Sequence, residues 1–407
     1  MRKQLKDYRR IVGDEQVAAI YKKAGRLYGK EIININSTYQ GGGVAELLGG
    51  LMPLLNDAGA DMEWAILHGN PDFFQITKKF HNALQGASIE LSNIKKQNYI
   101  EAAQNFFSYH KIHHDLVMVH DPQPLPIISF YKKRQPWIWR CHVDLSNPYP
   151  PLFEFLKEFI LRYNLVIVSS EKYKRADLPV RQKVVHPAID PLSLKNMELT
   201  CECKTKYLQK FGILTDKPII AQISRFDKWK DPLGVIEVFK RVKEKTDCRL
   251  ILCGNMASDD PEGWKIYEQV KQKANRMIDT GDIMLIVQDN GILVNVLQQS
   301  SSVIIQKSTR EGFGLTVTEA MWKYKPVVAS EVGGIPIQIV DKESGMLFKP
   351  DDLDGFAEGI VEILKNPEFG ERLGNAAHER VKRKFLITRL VSDYLDIADE
   401  MLKDGFS

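Results

Sequence analysis

Glu311 and Glu319 lie eight residues apart, on either side of the loop Gly312-Phe313-Gly314-Leu315-Thr316. Gly312 and Gly314 permit tight turns and a close approach of backbone to a ligand. Leu315, Val317, Ala320 and Met321 recur at a spacing that predicts a helix opening there. Its first N–H groups, at Gly314, Leu315 and Thr316, would face outward with the positive end of the helix dipole and seat a phosphate. Two carboxylates would then flank an anion site. Acidic residues also gather at helix N-termini merely to satisfy the dipole, so the pattern takes its meaning from what accompanies it.

What accompanies it is a second cluster, Ser224-Arg225-Phe226-Asp227-Lys228-Trp229-Lys230-Asp231-Pro232. Asp231 fits an N-cap and Pro232 the first helical position. Arg225 and Lys230 would stand at a strand end, one a planar fork and the other a point charge, as a diphosphate requires. Fixed cations of this kind stabilise negative charge that develops on a bound phosphate group. Earlier in the chain, Asp121, Gln123, His142 and Asp144 fall at strand ends. Gly41-Gly42-Gly43 precedes a helix and makes another anion-binding loop. Asp259-Asp260-Pro261 reads as helix capping rather than a metal clamp. No metal site is demanded.

These residues need elements to hold them. Apolar, β-branched runs predict strands at Glu31–Asn36, Asp61–Leu67, Asp115–Val119, Pro136–His142, Leu165–Val168 and Lys183–His186. Helical patterns separate most of them, which favours a parallel sheet with helices on both faces. A turn-rich connector between Pro187 and Thr205 separates a second series. Its strands are expected at Pro218–Ile223, Arg249–Leu252, Asp282–Val287, Ser302–Gln306, Pro326–Ala329 and Gly345–Phe348. The expected division is residues 1–200, 201–385, and a helix over 386–407 crossing back to the first domain.

Composition narrows the function. The chain has 407 residues, so two domains are the natural expectation. A net charge of +4 gives no reason to expect nucleic acid as a partner. The five cysteines are odd in number and lack zinc-type spacing, so reduced thiols are expected even at Cys201 and Cys203. The basic stretch from Leu5 to Gly29 carries Asp7, Asp14 and Glu15, which favours a docked helix over a membrane-surface one. No apolar signal core or bilayer-length run occurs, and the expected location is cytoplasmic. Gly41-Gly42-Gly43 is not the dinucleotide fingerprint, which disfavours NAD.

Glu311 and Glu319 around Gly-Phe-Gly-Leu resemble the E-x7-E motif of retaining GT-B glycosyltransferases. That clan has two Rossmann-like, doubly wound α/β domains facing across a cleft. The motifs Phe80-His-Asn-Ala-Leu-Gln-Gly86, Val119-His-Asp-Pro-Gln-Pro124, Trp139-Arg-Cys-His142 and Arg310-Glu-Gly-Phe-Gly-Leu-Thr-Val-Thr-Glu-Ala-Met-Trp322 are together similar to the trehalose glycosyltransferring synthase family. Tyr324 departs from it, standing where relatives often carry Gly. The resemblance implies transfer of glucose from a nucleoside diphosphate glucose (UDP-, ADP- or GDP-) to free glucose, giving α,α-trehalose with retention. It implies catalytic roles for His142, Glu311, Arg225 and Lys230. Donor contacts would come from Gly42, Gly43, Arg225, Lys230, Glu311, Gly312, Phe313, Gly314, Leu315, Thr316 and Glu319. Glu311 would touch the transferred sugar and Glu319 the ribose. Asp121, Gln123, His142 and Asp144 would hold the acceptor, and Arg140 is the one strong candidate for an acceptor phosphate. No cofactor is required. The resemblance leaves open a Mg2+ ion accompanying the nucleotide, reversibility, a homodimer, a trehalose phosphorylase and a non-catalytic nucleotide-sugar sensor.

Overall fold

The computed structural model describes residues 3–39, 42–255 and 261–404. The expectations for Gly41 and Asp259-Asp260 lie outside them. The chain forms two compact units, Met1–Ala188 with Ile387–Ser407, and Ile189–Leu386. The first crossing falls at Ala188–Ile189 rather than near residue 200. The residues just after it bond into the second unit: Ile189 N–H donates to Phe385 O at 2.8 Å, and Asn295 Nδ2 donates to Leu194 O and Met197 O.

In the first unit, β1 (Glu31–Asn36), β2 (Asp61–Ile66), β3 (Leu116–His120), β4 (Trp137–Arg140), β5 (Leu165–Val168) and β6 (Arg181–Val184) form one sheet in the order β2-β1-β3-β4-β5-β6. Every pairing is parallel. All but the edge strands are buried almost throughout, because helices cover both faces. The basic N-terminal segment docks as Asp14–Ala24, burying Val17 and Ile20. Its partner is the C-terminal helix Ile387–Lys403: Lys23 Nζ donates to Ser392 Oγ at 2.7 Å and to Asp396 Oδ2 at 2.5 Å.

In the second unit, β7 (Ile219–Ile223), β8 (Arg249–Gly254), β9 (Ile283–Val287), β10 (Val303–Gln306), β11 (Val327–Ser330) and β12 (Met346–Phe348) are ordered β12-β11-β10-β7-β8-β9, again all parallel. Strand order reverses between β1 and β3 in the first sheet and between β7 and β10 in the second. Open α/β sheets bind ligands in the crevice at the carboxyl ends of such neighbouring strands. That rule selects the loops after β1, β3, β7 and β10. They carry Gly42, Asp121, Lys230 and Glu311 respectively.

Tyr324 sits at φ +59°, in the left-handed region that glycine enters at the least cost. Its ring stacks on His378 with centroids 3.8 Å apart, a contact no glycine could make.

Candidate active site

The second unit gathers its chemistry where β7 meets β10. After β7, Asp227 caps a short turn at Lys228–Lys230, its side chain accepting from the N–H groups of Trp229 and Lys230 at 2.9 and 3.1 Å. The turn ends at Asp231, whose φ of +43° lets the chain reverse into the helix Pro232–Lys243. Asp231 accepts from Gly234 N–H at 3.0 Å and also pairs with the buried Lys307 just beyond β10. Gln222 ties the two loops together, donating to Lys230 O at 2.9 Å and accepting from Lys307 N–H at 3.1 Å. This framework brings Lys230 Nζ onto Glu311 Oε2 as an ion pair with little solvent on either side chain. Gln306 and Ser308 also approach Glu311 Oε2, at 3.5 and 3.4 Å.

Gly314 opens the helix Leu315–Trp322 at φ +85°. A Cβ there would lie 3.1 Å from Glu311 Cγ, so glycine is what lets the Glu311 side chain fold over the helix start. Phe313 is fixed through its carbonyl, which accepts from Gln338 Nε2. Leu315 and Thr316 supply first-turn N–H groups that have no intrahelical acceptor. Glu319 lies inward on the same helix, 8% exposed. Its neighbour is Lys323, which donates to Asn196 Oδ1, Gln298 Oε1 and Glu319 O at 2.8, 2.7 and 3.1 Å. Burial pulls the Lys323 amine down to about 7, with Glu319 opposing the shift. Arg225 is not drawn into this group. Its side chain is 62% exposed and reaches Asp227 Oδ2 at 3.3 Å.

In the first unit, Gly42 caps the helix Gly43–Asp57 at φ +93°. Asp121 follows β3 at φ +63° and accepts from the His142 N–H at 2.7 Å. The backbone N–H of His142 is therefore committed, leaving its imidazole and carbonyl for other partners. His142 Nε2 meets His120 Nδ1 at 3.2 Å, and His120 Nε2 meets Asn34 Oδ1 at 3.1 Å. Loss of solvent pushes His120 down to about 3, assisted by the Arg140 charge. The same causes, with His120 added, hold His142 well below the usual range. Both rings are neutral. Asp121 moves the other way, raised by desolvation to about 6 against the pull of the His142 N–H and Arg140. Asp144 closes a local turn by accepting from Ser146 N–H at 2.8 Å, and Gln123 is half-buried beyond Asp121.

Arg140, the one strong candidate for an acceptor phosphate in a sequence expected to take free glucose, is turned away from any ligand. Its side chain is fully buried, donating to Val185 O at 2.8 Å and Ser169 Oγ at 3.3 Å beside Tyr394 of the C-terminal helix. Lys132, Lys133 and Arg134 precede β4 and so stand at the opposite edge of the sheet. Lys133 donates to Arg162 O there.

Residues 34–175 match the family model for the trehalose synthase N-terminal domain, and residues 204–380 match the model for glycosyl transferases group 1. A trehalose synthase from Thermococcus litoralis is 45% identical over 97% of this chain and 96% of its own. The chain belongs to the trehalose synthase family. It is a glycosyltransferase of trehalose metabolism. A trehalose phosphorylase from Grifola frondosa is more distant, 28% identical over 92% of this chain and 58% of its own. The fold is GT-B. The solved α,α-trehalose-phosphate synthase (UDP-forming) from Burkholderia xenovorans, in complex with glucose 6-phosphate, superposes with a TM-score of 0.73 at 14% identity. That match spans 91% of this chain and all of the other.

For a trehalose synthase family member, the residues missed from sequence are those that orient the visible ones. His120 and Asn34 set the state of His142, while Asp227, Gln222 and the Lys307–Asp231 pair hold Lys230. A signal existed for Asn34: polar residues in an otherwise apolar buried strand, Ile33-Asn34-Ile35-Asn36, mark a position that needs a partner.

Proposed function

We propose that this enzyme transfers glucose from a nucleoside diphosphate glucose to free glucose, forming α,α-trehalose with retained configuration. The observation that carries this reading is the Lys230–Glu311 pair at the start of the helix Leu315–Trp322. A cation, a carboxylate and a helix N-terminus together suit a sugar diphosphate. Lys230 and the first-turn N–H groups would hold the diphosphate, and they would stabilise it most as charge develops on leaving. When the donor displaces it from Lys230, Glu311 becomes free to accept from a hydroxyl of the transferred glucose. Arg225 would swing from Asp227 onto the diphosphate, and Glu319 would take the ribose.

The acceptor in this reading binds the first unit, near Asp121, Gln123, His142 and Asp144. Burial of Arg140 closes off the guanidinium that β4 brings to that strand end, which supports a neutral sugar over a phosphorylated one. No carboxylate is assigned as a covalent nucleophile. The leaving phosphate itself takes the acceptor's proton while the new bond forms on the same face. Mg2+ enters only as a companion of the nucleotide. All five cysteines are free thiols, as in a reducing compartment. Among the described residues no helix is long and apolar enough to cross a membrane. The proposed location is the cytoplasm.

The test is a panel of UDP-, ADP- and GDP-glucose, each with free glucose, read by product chromatography. Trehalose with release of the nucleoside diphosphate is expected. Trehalose breakdown that requires inorganic phosphate and no nucleotide would make the enzyme a phosphorylase. Binding without turnover would make it a sensor.

A further inference from the structure

At the N-terminal edge of the first sheet, opposite the strand ends just described, Glu31, His113 and His114 present ligand atoms all within 4.8 Å of one another. Glu31 begins β1, and the two histidines lie in the loop entering β3. Backbone bonds lock these segments together: Asp115 N–H donates to Glu31 O at 2.8 Å, and Glu31 N–H donates to Asp115 Oδ2 at 2.9 Å.

His114 carries the decisive detail. It is 5% exposed, and its Nε2 lies 2.9 Å from Glu63 Oε2. An ionised carboxylate only accepts, so Nε2 bears the proton in that bond. Nδ1 of the neutral ring is then a bare lone pair, and it is buried without any hydrogen-bond partner. A doubly protonated ring would leave a buried N–H there, equally unmatched. Buried polar atoms are rarely left so. A carboxylate holding one imidazole nitrogen while the other faces a metal is a recurring arrangement in metal sites.

The neighbouring geometry fits. His113 Nε2 lies 3.5 Å from Glu31 Oε2, with the His113 ring next to that of His114. That separation is too long for a good hydrogen bond. It is close to the edge of a tetrahedron with ligand bonds of about 2.0–2.2 Å, roughly 3.4 Å, as around zinc. Two imidazoles and one carboxylate suit a borderline divalent ion such as Zn2+ rather than Mg2+ or Ca2+. Lys30 is the nearby cation, and Asp115 Oδ1 takes its ammonium at 2.9 Å.

We propose that Glu31, His113 and His114 form a Zn2+-class site, with Glu63 orienting His114 and water completing the coordination. The ion would clasp the start of β1 to the loop entering β3. Its role is structural, since the residues of the proposed chemistry lie at the other ends of these strands.

The test uses the full chain, stripped with a chelator, in a Cys201→Ser/Cys203→Ser background that removes the exposed Cys201 and its neighbour as competing ligands. Zn2+ is titrated against a chromogenic chelator, and melting is followed with and without the ion. One Zn2+ per chain and a higher melting temperature are expected. His113→Ala and Glu31→Gln, both on exposed side chains, should each weaken binding at least tenfold and abolish the melting shift. Cobalt should bind with the visible absorption of a tetrahedral centre. Absence of saturable binding, or undiminished affinity in either variant, overturns the proposal.

Discussion

His142 Nε2 stands 3.2 Å from His120 Nδ1, and Asn34 Oδ1 on the far side of His120 fixes which nitrogen carries each proton. The Asn34 carbonyl can only accept, so His120 Nε2 is protonated and its Nδ1 is a lone pair. His142 must then donate from Nε2, which leaves its own Nδ1 as a lone pair, the one the proposed reaction would turn to a sugar hydroxyl. Replacing His120 by Leu should lower turnover about tenfold to a hundredfold by releasing the His142 ring. His120→Gln, which keeps a carbonyl acceptor, should recover part of it. Equal losses in the two variants, measured as kcat and acceptor KM, would show that His142 needs no such orientation.

Glu311 and Glu319 should fail differently. Glu311→Ala removes the partner of Lys230 and should chiefly lower kcat. Glu319→Ala, deeper on the helix Leu315–Trp322, should chiefly raise the donor KM. Initial-rate kinetics at varied donor concentration separate the two, and matching effects on donor KM would contradict these roles.

Lys230→Ala should cost on the order of 10²-fold in turnover, the scale for removing a group that stabilises a developing anion. Combined with Glu311→Ala, the losses should be non-additive, because each residue holds the other. Arg225→Ala should also reach about 10²-fold if its exposed guanidinium folds onto the diphosphate. Near-normal rates for either single variant would place the diphosphate elsewhere.

Asp121 gives the pH dependence. Its carboxyl titrates near 6 in the folded chain against 3.8 when unperturbed. Above pH 6 it is ionised and accepts strongly from the His142 N–H. As pH falls through 6 the folded chain takes up the proton before the unfolded chain would. Asp121 by itself therefore adds stability from about pH 6 down to 4, and any acid loss of activity traced to it is not unfolding. An acid limb in kcat/KM near pH 6 is expected, and Asp121→Asn should remove it. The same variant should gain more in melting temperature at pH 7 than at pH 5. Survival of the limb in Asp121→Asn would assign it to another group.

The acceptor prediction rests on Arg140. With equal concentrations of glucose and glucose 6-phosphate, trehalose should be formed in preference to trehalose 6-phosphate. The opposite preference would require a phosphate ligand other than Arg140, whose side chain has no exposure.

Much of this protein was legible in its sequence because the governing interactions are local. Short β-branched runs between helical patterns located, within a few residues, all twelve strands found among the described residues. Gly314, Asp231 and Pro232 marked helix starts because backbone geometry and capping act over three or four residues. Pairings across the sheet were not legible. Lys230 and Glu311 are 81 positions apart and meet only because β7 lies beside β10 at the point where strand order reverses. The buried His120–Asn34 contact likewise depends on β1 lying beside β3. Arg140 shows the limit most clearly. Alternation along β4 gave its face, but only docking of the helix Ile387–Lys403, with Tyr394 against the guanidinium, decided that this face is closed to ligands. Sequence determined which chemical groups the chain carries and the elements that bear them. Strand order and helix docking decided which groups meet, because those contacts join residues too far apart for any local rule to connect.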